Sequence, residues 1–343
     1  MSEPAIETRG LTRRFGQQLA VSDLTLTLPF GMIYGLIGPN GAGKTTTLRL
    51  LAGLTPPSSG GIRLAGLPLT DPRTADEARR MVGFMPDRFG VYEDMRAWEY
   101  LDFFARCYGV PAPRRGQLVA ELLDLVDLAD KREADVGTLS RGMQQRLCLA
   151  HALVHDPRIL LLDEPASGLD PRARLELREL LRELRRMGKT IVVSSHILSE
   201  MEDLCDAIGI MERGRLLASG GFAEIDRRLQ PRQVVEIKLL PGAAGAALAY
   251  LRSRPGVALL ADAGGMADGA AEGGEAAVDG AGGSGPTRLD ASEDGWIAAA
   301  IEGGEAEAAS LLADLVRAGL PVLGYRPRQR DLERIFMAVT TGI

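Results

Sequence analysis

The chain has 343 residues, more than one average domain needs, so its length predicts a large domain and a smaller one. Hydrophobic residues make up 45% of the chain and charged residues 25%, the balance of a protein that folds around a core. The formal net charge of -6 argues against a protein whose main partner is nucleic acid.

Cysteine usage and hydropathy indicate the cellular compartment in which the protein works. The three cysteines stand far apart, which is typical neither of a disulfide framework nor of a CxxC metal knuckle, and suits a reducing cytoplasm. The first ten residues lack a positively charged lead followed by an apolar stretch, so we expect no secretion signal. No apolar run approaches the roughly 18 residues that cross a bilayer, so we expect any spanning part in another chain.

The segment up to about residue 223 alternates short apolar runs with amphipathic stretches and turn residues, a pattern that predicts an α/β architecture. Residues 33–37, 159–162 and 191–193 are continuous apolar runs, which predict buried strands of a mostly parallel sheet. Polar residues follow each run. Because ligands of such sheets gather beyond the carboxyl ends of the strands, these polar residues are the first candidates for a site.

A change of pattern after Gln230 predicts a second domain, over residues 229–343. Strands are predicted at 234–240, 257–260, 296–301 and 321–325, with helices at 242–252 and 305–318, which is a ferredoxin-like α+β order. Residues 261–286 are rich in Ala and Gly and lack Lys and Arg, so we expect a disordered insertion there. A last amphipathic helix is predicted over residues 331–339.

A glycine-rich loop follows the first buried strand and opens a helix. Its sequence fits G-x-x-x-x-G-K-[ST], in which backbone N–H groups and the helix N-terminus face phosphates. We expect Lys44 to contact the β- and γ-phosphates of ATP and the Thr45 hydroxyl to bind Mg²⁺. The alternative, a glycine-rich turn with a chance lysine, is disfavoured by the strand and helix on either side. The predicted ATP-binding residues of this segment are Gly38, Pro39, Asn40, Gly41, Ala42, Gly43, Lys44, Thr45 and Thr46.

Two carboxylates end the apolar run at 159–162. Adjacent residues of a strand point to opposite sides, so Asp163 and Glu164 can take different roles. We expect Asp163 to hold the Mg²⁺ shell through water and Glu164 to polarise the attacking water as general base. The alternative is that the two carboxylates simply form a solvated turn before Pro165. The presence of a phosphate loop in the same chain makes this alternative less favoured.

The decisive segment runs from Leu139 to Arg146 and reads L-S-R-G-M-Q-Q-R. With it the sequence resembles the ATP-binding cassette (ABC) family, whose signature motif usually has the form L-S-G-G-Q. The resemblance covers Ile6 to about Gly220 and implies a P-loop ATPase domain over residues 1–228, with a helical subdomain at about 90–155. By resemblance, the residues that contact the γ-phosphate bound to the opposite subunit of a homodimer are Ser140 and Gly142.

Further matches follow in the order of the family. The segment from Ser167 to Asp170 resembles the D-loop, which crosses the dimer interface and adds Asp170 to the ATP-binding set. His196 stands where the family has the switch histidine that contacts the γ-phosphate. Phe15 matches the upstream aromatic residue that stacks on adenine, although by itself it would more often be a core residue. The catalytic residues implied are Glu164, His196 and Lys44.

Two positions depart from the pattern of the family. The Q-loop glutamine aligns with Asp87, which can still bind Mg²⁺ or hold a water, but adds a negative charge and is shorter by one methylene. Met143 stands at the last position of the signature motif and removes a side-chain amide. The metal ligands implied are Thr45, Asp87 and Asp163.

The resemblance implies the ATP-hydrolysing subunit of an ABC transporter, with ATP and Mg²⁺ as cofactors and a separate transmembrane permease as partner. The C-terminal region resembles the accessory region of daunorubicin-resistance-like exporters, which implies export of a hydrophobic or drug-like compound from the cytoplasmic face of the membrane. An ABC protein acting on DNA or ribosomes would need tandem cassettes, long heptad repeats or a basic surface, which the sequence lacks. The remaining alternative is a regulatory ABC protein that binds ATP with little turnover.

Overall fold

The computed structural model describes residues 3–87, 90, 92, 94–222, 224–225, 232–240, 242–260 and 296–327. The described residues divide into two compact units, one ending at Ile225 and the other lying between Arg232 and Pro327. The domain boundary placed at 228, the insertion predicted at 261–286 and the helix predicted at 331–339 lie outside the described residues.

The first unit alternates strands and helices along the chain. It also has two short 3₁₀ turns, at Ala129–Lys131 and Val136–Thr138. Its strands and α-helices are, in chain order, β1 (Ile6–Phe15), β2 (Gln18–Leu28), β3 (Ile33–Ile37), α1 (Lys44–Leu51), β4 (Ser59–Leu64), β5 (Leu67–Pro68), α2 (Ala75–Arg80), β6 (Val82–Met85), α3 (Ala97–Cys107), α4 (Ala112–Leu125), α5 (Arg141–Leu153), β7 (Ile159–Leu162), α6 (Pro171–Arg186), β8 (Thr190–Ser195), α7 (Ser199–Glu202), β9 (Ala207–Glu212) and β10 (Arg215–Gly220).

A six-stranded sheet lies at the centre of this unit, in the order β10-β9-β3-β8-β7-β6. Its strands are parallel except β10, which pairs antiparallel with β9 at one edge. Every residue of β3, β7 and β8 is buried, because both faces of a parallel sheet are covered. The strands predicted at 33–37, 159–162 and 191–193 are therefore confirmed, and their carboxyl ends meet at one edge.

A second, antiparallel sheet has the order β2-β1-β4-β5. Its buried residues Leu11 and Leu24 belong to one apolar cluster with Leu48 and Leu51 of α1 and Leu36 of β3. Burying one such side chain stabilises a fold by about 1.5–3 kcal/mol. The cluster therefore fixes α1 between the two sheets, with its first residue just beyond the end of β3.

Helices α3, α4 and α5 lie between β6 and β7 in the chain and pack on one another. Their buried side chains include Tyr100 and Leu101 of α3, Leu122 and Leu123 of α4, and Leu147 of α5. This packing orients α5, whose first turn carries the segment that resembles the signature motif. Across the described ranges, no helix is both long and apolar enough to cross a membrane.

The second unit has the ferredoxin-like order that the sequence predicts. Its sheet order is β12-β13-β11-β14, and every neighbouring pair is antiparallel. Alternate residues of the first strand, Val235, Ile237 and Leu239, are buried in a cluster with Leu251 and Leu311 from its two helices. The elements are β11 (Arg232–Leu239), α8 (Ala244–Ser253), β12 (Val257–Leu259), β13 (Trp296–Glu302), α9 (Glu305–Arg317) and β14 (Val322–Pro327).

Candidate nucleotide site

The loop between β3 and α1 wraps so tightly that two of its positions require glycine. A Cβ on Gly38 would lie 2.3 Å from the carbonyl oxygen of Met211. Gly43 has a φ of 104°, and a Cβ there would lie 2.5 Å from the carbonyl oxygen of Ala20. The loop ends at the N-terminus of α1, where free backbone N–H groups and the helix dipole favour an anion such as a phosphate.

The ammonium group of Lys44 lies inside this loop. Its Nζ donates to the carbonyl oxygens of Gly38, at 2.6 Å, and Pro39, at 3.3 Å. Glu164 Oε1 lies 3.3 Å from the same Nζ, and the Lys44 side chain is only 6% exposed. The structure therefore brings the lysine of the phosphate loop into direct contact with the second carboxylate that follows β7.

Asp163 is buried at the end of β7. Its Oδ1 accepts hydrogen bonds from Thr45 Oγ1, at 3.1 Å, and Ser194 Oγ, at 2.7 Å. Its Oδ2 has no hydrogen-bond partner among the residues that the structure describes. Burial raises the pKa of this carboxyl, the bonds from Ser194 and Thr45 oppose the rise, and the charges of Glu164 and Asp87 add to it.

The donor set around Asp163 fits a magnesium ion. A hydroxyl and an unpartnered carboxylate oxygen share one edge of the sheet, and Mg²⁺ takes oxygen ligands. Within the described ranges, no three or more His, Cys, Asp or Glu side chains form a group that could hold a metal. Mg²⁺ binds through one or two carboxylates and completes its shell with phosphate and water oxygens.

Glu164 has a left-handed backbone, with a φ of 49°. Its N–H donates to Ser194 Oγ at 2.9 Å, and its carbonyl oxygen accepts from Ser167 N at 3.0 Å. Its side-chain Oε2 lies 2.9 Å from His196 Nδ1. The backbone and the carboxylate are therefore both held from two sides, and Ser194 supports Asp163 and Glu164 together.

The segment that resembles the signature motif lies at the start of α5. Ser140 caps this helix, because its Oγ accepts a hydrogen bond from Met143 N at 3.4 Å. Asp170 caps α6 in the same way, accepting from Ala173 N at 2.9 Å. No hydrogen bond or ion pair of the described residues joins Ser140 to Lys44.

Two further predicted residues lie at exposed positions. Phe15 is 47% exposed at the end of β1, which excludes a core position, and the guanidinium of Arg13 lies 4.4 Å from its ring centroid. An exposed ring is free to stack on a base. Asp87 is exposed two residues after β6, and its charge raises the pKa of Asp163, so the aspartate at the Q-loop position acts on the predicted metal ligand.

Sequence reasoning missed two residues of this site. Ser194 is fully buried and contacts the Asp163 carboxylate and the backbone N–H of Glu164, yet the predicted strand at 191–193 ends before it. The sequence pattern that could have indicated Ser194 is a polar residue directly after an apolar run, the same pattern that indicated Asp163. Gln145 is buried on α5 and donates to the carbonyl oxygen of Ser167 at 3.1 Å. Its contact depends on how α5 packs against the D-loop, which no local pattern records.

Comparisons with known proteins identify the family of the chain. The family described as ABC transporter matches residues 21–167. The Nod factor export ATP-binding protein I of Burkholderia orbicola (strain AU 1054) is 46% identical over 220 residues, which are 64% of this chain and 72% of that protein. The protein of the same name from Ralstonia nicotianae (strain ATCC BAA-1114 / GMI1000) is 42% identical over 236 residues, 69% of this chain and 73% of that protein.

Solved structures are similar as well. A structure described as the ATP binding subunit of an ABC transporter matches with a TM-score of 0.59 and 31% identity, covering 65% of this chain and 92% of that chain. The ADP conformation of an ATP-binding cassette of an ABC transporter matches with a TM-score of 0.58 and 21% identity, covering 64% of this chain and 92% of that chain. At 21% identity, the second structure shows similarity of fold alone.

Proposed function

We propose that the chain powers export of a hydrophobic or drug-like compound through a separate permease. The chain belongs to the ABC transporter family and is the ATP-binding and ATP-hydrolysing subunit of such a transporter. The relatives from Burkholderia and Ralstonia are named for Nod factor export, which supports the direction of transport. The ferredoxin-like second unit supports it too, through the resemblance of this region to exporter ATPases.

The observation that carries the assignment of the site is the placement of two carboxylates with different surroundings beside one phosphate loop. Asp163 is buried, bonded to Thr45 and left with one unpartnered oxygen among the described residues, so it and Thr45 would hold Mg²⁺. Asp87, at the Q-loop position, is the third proposed metal ligand. When bound, the metal would supply positive charge that offsets the charge developing on the phosphates.

Glu164 is the proposed general base. Its carboxylate is oriented from two sides. Oε2 contacts His196, and Oε1 contacts Lys44. A carboxylate held in this way can accept a proton from a water that attacks the γ-phosphate. His196 orients that carboxylate and is exposed, so it can also reach the γ-phosphate. Lys44 and the backbone of the glycine loop bind the β- and γ-phosphates.

We propose that two copies of the chain pair head to tail and enclose two ATP molecules. Ser140 and Gly142, at the N-terminus of α5, then contact the γ-phosphate held by the partner subunit, and Asp170 lies near the interface. The resemblance of the segment from Leu139 to Arg146 to the signature motif supports a site completed by a second copy. Because ATP contacts both subunits only when they are closed, it shifts the population toward the closed pair. Hydrolysis reverses the shift.

The proposal includes the subcellular location of the chain. The chain acts at the cytoplasmic face of the membrane, held there by its permease, since across the described ranges no helix is long and apolar enough to span a bilayer. Binding of the ATPase to membranes should therefore depend on the permease. Membrane fractions prepared with and without the permease, probed for the chain after a salt wash, would show this dependence.

The experiment that tests export uses the chain co-expressed with its permease, identified as the membrane protein that co-purifies with the chain. Cells are loaded with ethidium as a hydrophobic, drug-like probe, and efflux is followed by fluorescence. Wild-type chain should speed efflux, whereas Glu164→Gln, expressed to the same level, should not. Faster accumulation with wild-type chain, or equal efflux with both chains, would contradict the proposal.

A further inference from the structure

We propose that Gln145 is a positioning residue that fixes the general base Glu164 through the D-loop of its own subunit. The inference rests on the proposed role of Glu164. Gln145 lies in the second turn of α5 and is only 4% exposed. A buried amide costs free energy unless it is hydrogen-bonded, so its hydrogen-bond partner indicates where it acts.

That bond leads to the D-loop. Gln145 Nε2 donates to the carbonyl oxygen of Ser167 at 3.1 Å. Gln145 Oε1 has no hydrogen-bond partner within the described part of the chain. Among the residues that the structure describes, the bond to the backbone of Ser167 is therefore the only hydrogen bond of this side chain.

Ser167 passes the constraint to the general base. Its N–H donates to the carbonyl oxygen of Glu164 at 3.0 Å, which closes a turn over the residues between them. Glu164 sits at one end of this turn with a φ of 49°, a conformation that costs a non-glycine residue about 1–2 kcal/mol. Such a backbone persists only where its surroundings hold it, and here Ser194 holds one end and the turn anchored by Gln145 the other.

Two packing contacts keep the D-loop against α5 beside this bond. The guanidinium of Arg141 lies so close to Gly168 that a Cβ there would be 2.7 Å from Nη1. A Cβ on Gly142 would be 3.2 Å from Leu169 Cδ2. The start of α5 and the D-loop thus form one packed block, and Gln145 is its buried polar link. The block joins the segment proposed to serve the partner's nucleotide to the chain's own general base.

If Gln145 had only a structural role, its loss and the loss of the neighbouring Gln144 would have similar effects on ATP hydrolysis. Gln144 lies on the same helix, and its Nε2 also donates to a backbone carbonyl oxygen, that of Val136, at 3.1 Å. That bond leads away from the D-loop. Gln144 is therefore a matched control for the loss of one amide donor from α5.

The test replaces each glutamine by methionine, which has a similar volume and no amide donor. For Gln145→Met we expect kcat for ATP hydrolysis to fall about ten- to a hundredfold, since a displacement of about 1 Å at a catalytic group can cost a hundredfold. Its KM should stay within threefold, because the phosphate loop is untouched. Gln144→Met should keep kcat within threefold. Equal kcat losses in the two variants, or a wild-type kcat in Gln145→Met, would overturn the inference.

Mixed dimers show whether the effect stays within one subunit. The reference is a dimer of one wild-type chain and one Glu164→Gln chain. Adding Gln145→Met to the chain that carries Glu164→Gln should leave the rate at the reference value, because the intact base keeps its own Gln145. Adding it to the other chain should lower the rate by the factor seen for Gln145→Met alone. The reverse pattern would assign the effect to the partner's nucleotide and overturn the inference.

The same set of proteins separates this inference from the role of Glu164. A dimer in which both chains carry Glu164→Gln should be inactive. Wild-type turnover in that dimer would remove the general base and the inference with it. An inactive Glu164→Gln dimer together with a wild-type rate for Gln145→Met would overturn the inference alone. The melting temperature of each variant, measured without nucleotide, verifies that the compared proteins are folded.

Discussion

Glu164 Oε2 and His196 Nδ1 are 2.9 Å apart. An ionised carboxylate can only accept hydrogen bonds, so Nδ1 carries the proton of this contact and the other ring nitrogen is left for a second partner. The Glu164 side chain is 16% exposed and the His196 side chain 46% exposed. The pair thus joins a partly buried carboxylate to an exposed ring, which fits the proposal that His196 orients Glu164 and contacts the γ-phosphate.

Glu164→Gln should retain ATP binding and lose turnover. The amide keeps the size of the side chain but is not a base, and general-base catalysis typically contributes about a hundred- to ten-thousandfold. Steady-state phosphate release should therefore fall at least about a hundredfold. The dissociation constant for ATP, measured by fluorescence titration, should change less than fivefold. Wild-type turnover in this variant would show that another group activates the water.

Lys44→Ala should lose most of the affinity for ATP. The ammonium lies within the glycine loop, and hydrogen bonds to charged groups contribute about 1.5–3 kcal/mol, which corresponds to a tenfold to more than a hundredfold loss of affinity. Arg49→Ala is the matched control, since Arg49 is a basic, exposed residue on the same helix, α1. Equal affinities of the two variants, measured by calorimetry, would contradict the assignment of the phosphate loop.

Ser194→Ala should impair both stability and catalysis. The hydroxyl donates to Asp163 Oδ1 and accepts from Glu164 N, so its removal leaves two buried polar groups without this partner. One such loss typically costs about 1–3 kcal/mol. Urea unfolding should show a decrease of this size, and kcat should fall more than KM rises. Ser195→Ala, which removes only a bond from Ile197 N, should have the smaller effect on kcat. The reverse ranking would contradict the support that Ser194 gives to both Asp163 and Glu164.

The sequence predicts those parts of the site that follow from local pattern. Asp163 and Glu164 come directly after a continuous apolar strand, and a parallel sheet places such residues at its ligand-binding edge. Ser194 carries the same signal more weakly, because a serine after an apolar run also ends many strands without any function. Gln145 has no local signal. It lies on α5 among residues with helical periodicity, and only the packing of α5 against the D-loop makes it a buried donor.

The same limit applies to the contacts of His151, on α5, and His155, two residues after the end of α5. Their i, i+4 spacing predicts that both lie on one face of a helix, which would suit a metal only if a third ligand were present. The structure instead stacks the His151 ring on Phe104, with centroids 3.7 Å apart, and the His155 ring on Tyr108, with centroids 4.1 Å apart. His155 also lies 3.0 Å from the carbonyl oxygen of Val82. Stacking on aromatic rings therefore accounts for both histidines.

His151 should make the stability of the chain depend on pH. Burial lowers its pKa from the ordinary 6.5 to about 4, and the nearby His155 contributes in the same direction. Between these two values the unfolded chain binds a proton at this position and the folded chain does not. The free energy of unfolding must therefore fall as the pH falls from about 6.5 toward 4, by roughly 2 kcal/mol between pH 7 and pH 5.

The measurement is urea unfolding of the wild type and two variants at pH 7 and pH 5. His151→Gln removes the titrating group, and His151→Phe removes it while keeping an aromatic ring on Phe104. Both variants should lose roughly 2 kcal/mol of the wild-type difference between the two pH values. Part of the difference should remain, because the pKa of His155 is also lowered, chiefly by burial. The two variants will differ in absolute stability, since only one keeps the stack. Only a change in the pH-dependent difference reports titration of His151, and an unchanged difference in both variants would show that His151 titrates alike in the folded and unfolded chains.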